Sequence, residues 1–369
     1  MRPAHPTRAL TVLVVVLSVL TVVNLGASGI WWLRTAGSGA TAAHASPSAT
    51  ASATAAAPSA SATATGPSAS VDGIPAQEAP GTSAAPATVD LAASWKPPTD
   101  MPTAGRLLRV DIPGTTSHFR ARDALLWLPP AALTADPPSL PVVVLMSGQS
   151  KGAGPEDLAS AGHIEETMDA LATLHEGLAP IVVVPDQLGP DSGNPMCVDG
   201  PLGNSRTYLE DDVPAWITSH LRVQTAPSAW TVGGFSQGGT CAIQLGAGDP
   251  GRFGNLIDVS GEDGPTLGST ATTIAKGFSG NAAAFRQAQP AALMAAHAPY
   301  RATNAFFAAG GDDHSAAPVM PVQAQRARTA GMHVTTWVLP GAGHSWGTAA
   351  PAIAAGLTWL VPLVHLSPS

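Results

Sequence analysis

The residues of this sequence best suited to chemistry form one short run, Gly234-Phe235-Ser236-Gln237-Gly238. The run fits the pattern Gly-x-Ser-x-Gly, a sharp turn from strand to helix that lifts a serine hydroxyl above the edge of a sheet. Glycines flank such a serine because the turn is strained and neighbouring backbone must pass close to it. A serine held in this way is typical of a nucleophile for acyl transfer.

A second run, Gly343-His344-Ser345-Trp346-Gly347, fits the same pattern, so context must separate the two. Ser236 directly follows an apolar run, Trp230–Gly233, and precedes a helical stretch, Gly239–Leu245. No Asp or Glu occurs after Ser345 in the sequence, whereas sites of this class have serine, acid and histidine in that order along the chain. The sequence therefore predicts Ser236 as the nucleophile.

A general base is needed beside this serine, and His344 is the best placed histidine. It lies in a glycine-rich loop just after the apolar run Val334–Leu339. An imidazole suits the task because it titrates near working pH. Four other histidines also follow the serine: His297, His314, His333 and His365. We expect His333 and His365 to be structural or solvated, because one opens a strand and the other lies in the tail.

The acid that orients the imidazole and stabilises its protonated form must lie between the serine and the histidine. The run Gly310-Gly311-Asp312-Asp313 ends an apolar stretch, Asn304–Ala309, at the place where a fold of this kind carries its carboxylate. We predict Asp313 as the acid. Asp312 is the alternative, and Glu262 is a more remote candidate.

Acyl transfer also requires amide donors for the oxyanion. One is expected from the backbone N–H of Gln237, directly after the nucleophile. The second is expected from the loop after the apolar run Val142–Met146, where we predict Gln149 as the donor. A tight turn that requires only Gly148 is the alternative explanation of this loop, and both can hold together.

The elements that must position these residues are short apolar runs alternating with turns and helical stretches. The runs predicted as strands are Leu107–Ile112, Ala124–Leu128, Val142–Met146, Ile181–Val184, Trp230–Gly233, Asn255–Val259, Ala305–Ala308 and Val334–Leu339. Apolar residues at turn spacing predict a helix over Pro155–Leu174. Continuous β-branched runs are typical of parallel strands buried on both faces. The alternation predicts one α/β domain with a mostly parallel, doubly wound sheet over residues 94–369.

The N-terminal part of the sequence has a different character. Residues Ala9–Leu33 carry no charge and are long enough to span a membrane. Arg2 and Arg8 precede them, which favours a cytoplasmic N-terminus. The sequence therefore predicts a single membrane anchor over residues 1–34, with the domain outside the cytoplasm. A cleavable signal peptide, ending near Leu25-Gly26-Ala27, is the alternative and implies a secreted protein.

Residues 35–93 consist almost entirely of Ala, Ser, Thr, Pro and Gly. No aromatic side chain occurs between residue 35 and Trp95, so this stretch has too little apolar area to offset the entropy of ordering it. We predict a disordered linker that separates the anchor from the domain.

The overall composition excludes several classes of function. The net charge is −8 and the lysines are three, Lys96, Lys151 and Lys276. This argues against nucleic acid as a partner, because phosphate binding requires clustered basic residues. The sequence contains no metal-ligand cluster, phosphate loop or nucleotide fingerprint, so we expect no cofactor. Cys197 and Cys241 are expected to form a disulfide in an oxidising compartment; two buried free thiols are the alternative.

From Arg106 to His344 the sequence resembles a bacterial esterase family that also contains esterase D-type hydrolases and the secreted mycolyltransferases. The segments that carry this resemblance are Val110–Gly114, Ser117–Arg122, Leu126–Pro130, Val184–Asp186, Gly233–Gly239, Asp258–Glu262 and Gly343–Trp346. The resemblance implies the α/β-hydrolase fold and a serine triad.

The sequence departs from two branches of that family. Gln237 stands where mycolyltransferases usually have Met, and the loop Ser147-Gly148-Gln149 lacks the His-Gly of esterase D-type enzymes. We therefore expect hydrolysis of a small-molecule or lipid ester on the outer face of the membrane. The alternatives are an acyltransferase acting on cell-envelope lipids, a catalytically silent binding protein on the same scaffold, and a peptidase.

Overall fold

The structure is a computed structural model, and it describes residues 88–190 and 193–367. The predicted anchor over residues 1–34 and most of the predicted linker lie outside the described residues. Within the described part, one helix, Trp346–Leu363, is long and apolar enough to cross a membrane. It packs against the central strands of the domain, so we interpret it as a core helix.

The strands are numbered in chain order. They are β1 (Arg106–Val110), β2 (Ala124–Leu128), β3 (Val142–Met146), β4 (Ile181–Val184), β5 (Asp199–Gly200), β6 (Gly203–Asn204), β7 (Trp230–Phe235), β8 (Asn255–Val259), β9 (Asn304–Gly310) and β10 (His333–Leu339). The strands β5 and β6 form a separate small hairpin, and the other eight form one sheet in the order β1-β2-β4-β3-β7-β8-β9-β10.

The helices are also numbered in chain order. They are α1 (Glu156–Ser160), α2 (Ile164–Leu174), α3 (Ser205–Thr207), α4 (Val213–His220), α5 (Gln237–Gly248), α6 (Thr270–Thr272), α7 (Ala282–Gln287), α8 (Pro290–His297), α9 (Met320–Ala330) and α10 (Trp346–Leu363). Short 3-10 turns cover Pro130–Leu133 and Pro227–Ala229, and single π turns cover Tyr208–Asp212 and Thr273–Gly277.

The sheet is mostly parallel. The strands β4, β3, β7, β8, β9 and β10 run parallel to one another, and near one edge β2 runs antiparallel to both of its neighbours, β4 and β1. Every residue of β3, β4, β7 and β8 is buried, because helices cover both faces of a doubly wound sheet. The predicted α/β fold with a mostly parallel sheet is thus confirmed.

The predicted strands agree with the observed ones in position, and four of them also agree in both ends. The first strand differs, because β1 ends at Val110 rather than Ile112. Val110 pairs with Ala124, the first residue of β2, so the residues after Val110 have no strand to pair with.

The predicted helix over Pro155–Leu174 was wrong, because the chain forms two helices there. The amides of Ala161 and Gly162 both donate to the carbonyl of Asp157 and close α1. His163 then adopts a left-handed conformation with φ 52°, which no α-helix continues through. A glycine after a helical stretch is the usual signal for such an end.

The folded domain also begins earlier than predicted. Residues 88–93 were assigned to the linker, yet Leu91 is buried in the core. The backbone N–H of Leu91 and that of Ala92 donate to the carbonyl of His365, and the Val89 N–H donates to the Gln224 side chain. The buried Leu91 side chain and these hydrogen bonds therefore hold this segment on the domain.

Candidate active site

Ser236 lies at the junction of β7 and α5 in a strained conformation, with φ 56° and ψ −118°. Its own N–H donates to the carbonyl of Val259 on β8 at 2.8 Å, which holds the turn against the sheet. The two flanking glycines are required by space. A Cβ on Gly238 would lie 2.3 Å from the carbonyl oxygen of Met146, and one on Gly234 would lie 2.5 Å from the backbone of Gly238.

His344 lies in the loop between β10 and α10, and its Nε2 is 2.8 Å from the Oγ of Ser236. Its side chain is 35% exposed. The ring also packs against Phe235, with ring centroids 5.0 Å apart. The imidazole therefore contacts the serine hydroxyl on one side and solvent on another.

Asp313 follows β9 and completes the series, with Oδ2 at 2.7 Å from the Nδ1 of His344. The other carboxylate oxygen, Oδ1, accepts hydrogen bonds from the hydroxyl and N–H of Ser315 and from the N–H of Ala316. Burial raises the pKa of the Asp313 carboxyl, but the hydrogen bonds from Ser315, Ala316 and His344 and the charge of His344 outweigh it and lower the pKa to about 2. The group is held as a carboxylate.

The two alternative acids lie elsewhere. Asp312 is exposed, and its N–H donates to the carbonyl of Ala342. Glu262 is half-buried and lines the cleft that contains Ser236. Burial raises the pKa of Glu262, and the charge of His344 partly opposes that rise. The hydrogen bond to the ring of His344 is made by Asp313.

The predicted oxyanion donors both line the same cleft as Ser236. Gln237 is the first residue of α5, so its N–H has no partner within the helix. Gln149 is exposed in the loop after β3. Gln237 follows β7 and Gln149 follows β3, and because these neighbouring strands are parallel, both residues lie at the edge of the sheet that carries Ser236.

The cleft has a volume of about 500 Å³ and a polar lining. Its walls are formed by Gln149, Gly193, Asn194, Ser236, Gln237, Glu262, Thr266, Leu267 and Gly268. A larger cleft, of about 680 Å³, includes Trp230 at the start of β7, the end of that strand remote from Ser236. The smaller cleft is thus the one that a substrate of Ser236 would occupy. Among the described residues, no group of three or more His, Cys, Asp or Glu side chains could hold a metal ion.

Cys197 and Cys241 form a disulfide beside this cleft. Cys241 lies in the second turn of α5, and Cys197 follows Asn194, which lines the cleft. The Nε2 of Gln237 approaches the Sγ of Cys241 at 3.1 Å. The disulfide therefore ties α5, the helix that follows Ser236, to the loop that forms one wall of the cleft.

No sequence motif marks Gln187, yet its side chain is fully buried next to the site. It lies two residues after Pro185, in the loop that follows β4. Its only signal was position, because loops at the carboxyl ends of parallel strands meet at one edge of the sheet. Its contacts reach across two loops that are distant in sequence.

The chain is similar to several known proteins. Residues 120–359 match the family "Putative esterase". An uncharacterized protein of Corynebacterium glutamicum is 36% identical over 266 residues, which are 69% of this chain and 62% of that protein. The chain thus spans less than two thirds of that relative's length.

Two solved structures are similar in fold at low sequence identity. A ferulic acid esterase has a TM-score of 0.60 at 18% identity, and the match covers 71% of this chain and 98% of the esterase. An S-formylglutathione hydrolase from Agrobacterium tumefaciens has a TM-score of 0.56 at 18% identity, with 70% and 95% covered. These matches establish the α/β-hydrolase fold of the described domain.

Proposed function

The chain belongs to the esterase family that it matches over residues 120–359, and from this premise we propose that it is a serine esterase. In this proposal Ser236 is the nucleophile, His344 the general base and Asp313 the orienting acid. One observation carries the proposal: a continuous hydrogen-bonded series joins Ser236 Oγ to His344 Nε2 and His344 Nδ1 to Asp313. Ser236, at one end of this series, lines a cleft.

The reaction begins when Ser236 Oγ attacks the carbonyl carbon of the ester. His344 Nε2 takes the hydroxyl proton, and the carbonyl oxygen becomes an oxyanion that accepts hydrogen bonds from the N–H groups of Gln149 and Gln237. The tetrahedral intermediate then collapses: the bond to the alcohol breaks, and His344 returns the proton to the leaving alcohol. An acyl group remains on Ser236. Water repeats the same steps and releases the acid.

Asp313 has two tasks in this cycle. By accepting a hydrogen bond from Nδ1–H it selects the tautomer in which Nε2 is free to take a proton. Its charge also stabilises the imidazolium that forms. The low pKa of about 2 keeps this group ionised at working pH, so it serves as a fixed negative charge.

Two features favour hydrolysis over acyl transfer. The side chain of His344 is 35% exposed, and the cleft is lined mainly by polar residues. Water therefore has access to the acyl-enzyme. A silent binding protein is the weaker alternative, because a protein that only binds has no need for the series Ser236–His344–Asp313.

The same proposal includes a location outside the cytoplasm. The uncharged stretch Ala9–Leu33 would anchor the chain, and residues 35–87 would act as a linker to the domain. The disulfide between Cys197 and Cys241 supports an oxidising compartment. Protease treatment of intact cells tests this: the domain should be released from the surface. Full protection in intact cells, with digestion only after lysis, would contradict it.

Labelling with a fluorophosphonate probe tests the chemistry. The full-length chain should be labelled on Ser236 and should hydrolyse p-nitrophenyl acetate, and Ser236→Ala should abolish both. Ser345→Ala is the matched control, because Ser345 lies in the second Gly-x-Ser-x-Gly run. It should retain both. Undiminished turnover in Ser236→Ala would overturn the proposal.

A matched pair of variants tests which aspartate is the orienting acid. Asp313→Asn should lower kcat by roughly a thousandfold to ten-thousandfold, because the amide favours the wrong tautomer of His344. Asp312→Asn should change kcat by less than about threefold, since Asp312 is exposed and does not contact the ring. The opposite ranking would reassign the acid.

A further inference from the structure

One buried amide connects the two segments that carry the proposed oxyanion donors, the loop after β3 and the first turn of α5. Gln187 is fully buried, and its Nε2 donates to the backbone carbonyl of Ser147 at 2.7 Å and to Gln237 Oε1 at 3.0 Å. Ser147 begins the loop that contains Gln149, and Gln237 begins α5. Because a carbonyl oxygen can only accept, the NH₂ group of Gln187 must face Ser147. This amide therefore has its orientation determined by its contacts.

The series continues on the far side of Gln237. With Oε1 turned to Gln187, the Nε2 of Gln237 faces the disulfide, at 3.1 Å from Cys241 Sγ and 3.8 Å from Cys197 Sγ. The side chain of Gln237 is thus held between a covalent link and a buried amide. The backbone N–H of the same residue is left at the free start of the helix.

Gln187 is itself held firmly. Asp186, the residue before it, is fully buried and forms an ion pair with Arg122 at 2.7 Å. The same carboxylate accepts hydrogen bonds from the backbone N–H groups of Arg122, Leu188 and Gly189. The loop after β4 is therefore held in place, and from it Gln187 bonds to the loop after β3 and to the first residue of α5.

Resting on the proposed esterase function, we infer that Gln187 is a positioning residue for the oxyanion hole. It does not touch the substrate. It sets the separation of the Gln149 and Gln237 N–H groups by bonding to the loop of one and to the side chain of the other. Such donors are effective only at 2.7–3.1 Å from the oxyanion, so a shift of either loop weakens the transition state more than the bound ester.

The test compares Gln187→Met with wild type in the full-length chain. Methionine has a similar length but no donor, so the Ser147 carbonyl and Gln237 Oε1 lose their partner. We expect kcat for p-nitrophenyl acetate to fall by roughly 10- to 100-fold, with KM within about threefold. The affinity for a trifluoromethyl ketone, whose adduct with the serine carries an oxyanion, should fall by a similar factor.

Gln244→Met is the matched control. Gln244 is a buried glutamine on α5 that donates to the Met196 carbonyl at 3.3 Å. The substitution therefore removes a buried amide that bonds neither to Ser147 nor to Gln237. It should leave kcat and the ketone affinity within about twofold. An equal fall in this control would show a general packing effect and overturn the inference.

Gln237→Met keeps the test decisive if Gln187→Met does not fold, because it removes the other end of the same hydrogen bond and keeps the backbone N–H. If both fold, the double variant should lose less than the product of the two single effects. Unchanged kcat and unchanged ketone affinity would overturn the inference alone. A wild-type chain that neither turns over esters nor reacts with the fluorophosphonate would instead overturn the proposed function, and the inference with it.

Discussion

At the scale of single residues, two buried carboxyl groups near the site differ in the number of hydrogen bonds that reach them. Asp313 accepts hydrogen bonds from Ser315, Ala316 and His344, and its pKa falls to about 2 despite burial. Asp258, at the end of β8, accepts a single bond from the N–H of Gly261. Burial raises the pKa of Asp258 to about 7, and that one bond only partly opposes the rise. The number of hydrogen bonds donated to each carboxylate therefore decides which of the two buried groups stays charged.

The raised pKa of Asp258 predicts a pH-dependent stability. Since the folded state holds the proton more tightly than the unfolded state, the contribution of Asp258 is present below about pH 4 and is lost as the pH rises through about 7. Between pH 5 and pH 8 this removes about 2–3 kcal/mol from the free energy of unfolding. Asp258→Asn should not show that loss, because an amide carries no charge.

Thermal unfolding at both pH values measures this difference. Asp136→Asn is the control, because the Asp136 side chain is 89% exposed, and it should follow wild type. Equal pH dependence in wild type and Asp258→Asn would contradict the prediction.

At the scale of elements, the close approach of α5 to the sheet builds the turn at Ser236. The position of Gly238 in the first turn of α5 leaves no room for a side chain, since the carbonyl oxygens of Met146 and Ser147 lie 2.3 Å and 2.6 Å from where a Cβ would be. These are backbone atoms at the end of β3, which cannot rotate away. The same strand end leads into the loop that contains Gln149.

Gly238→Ala should therefore lower the free energy of unfolding by about 1–3 kcal/mol, and it should slow fluorophosphonate labelling because the loop after β3 must shift. Gly248→Ala is the matched control at the other end of α5, where the nearest atom is a side-chain nitrogen of Arg206 at 3.3 Å and no backbone atom lies as close. It should be neutral or stabilising by up to about 1 kcal/mol, since Ala favours a helix. Equal stability of the two variants would show that the helix can move away from β3.

At the scale of the whole domain, its two ends are joined. Leu91 is 6% exposed and belongs to the core, and its N–H donates to the carbonyl of His365, just beyond α10. The segment before β1 therefore covers the end of the C-terminal helix. The folded domain therefore begins before residue 94, the start that was predicted from the sequence.

Leu91→Ala in the full-length chain should lower the free energy of unfolding by about 2–4 kcal/mol, because a buried leucine is lost and a cavity remains. Val89→Ala is the control two residues earlier, at a residue that is 49% exposed, and it should change the free energy of unfolding by less than about 0.5 kcal/mol. Denaturant unfolding measures both. A neutral Leu91→Ala would mean that the segment does not contribute to the core.

The parts of the fold that depend on local pattern were predictable from the sequence. Strands β2, β3, β4 and β8 have the predicted ends, because apolar runs bounded by turn residues define a buried strand by themselves. The turn at Ser236 was predictable for the same reason, since strand, glycines and helix follow one another directly. The end of α1 was also encoded locally, in Gly162, but the apolar spacing across it concealed the break.

The remaining features depend on contacts between segments that are far apart in the sequence. Asp312 and Asp313 are neighbours with the same chemistry, and only the backbone path after β9 determines which carboxylate meets the His344 ring. Gln187 acquires its partners from a loop residue 40 positions away and a helix residue 50 positions away. Leu91 is buried because the chain end after α10 lies beside it. Local pattern determines which elements form; the directions of side chains between elements are set by packing, which no single segment contains.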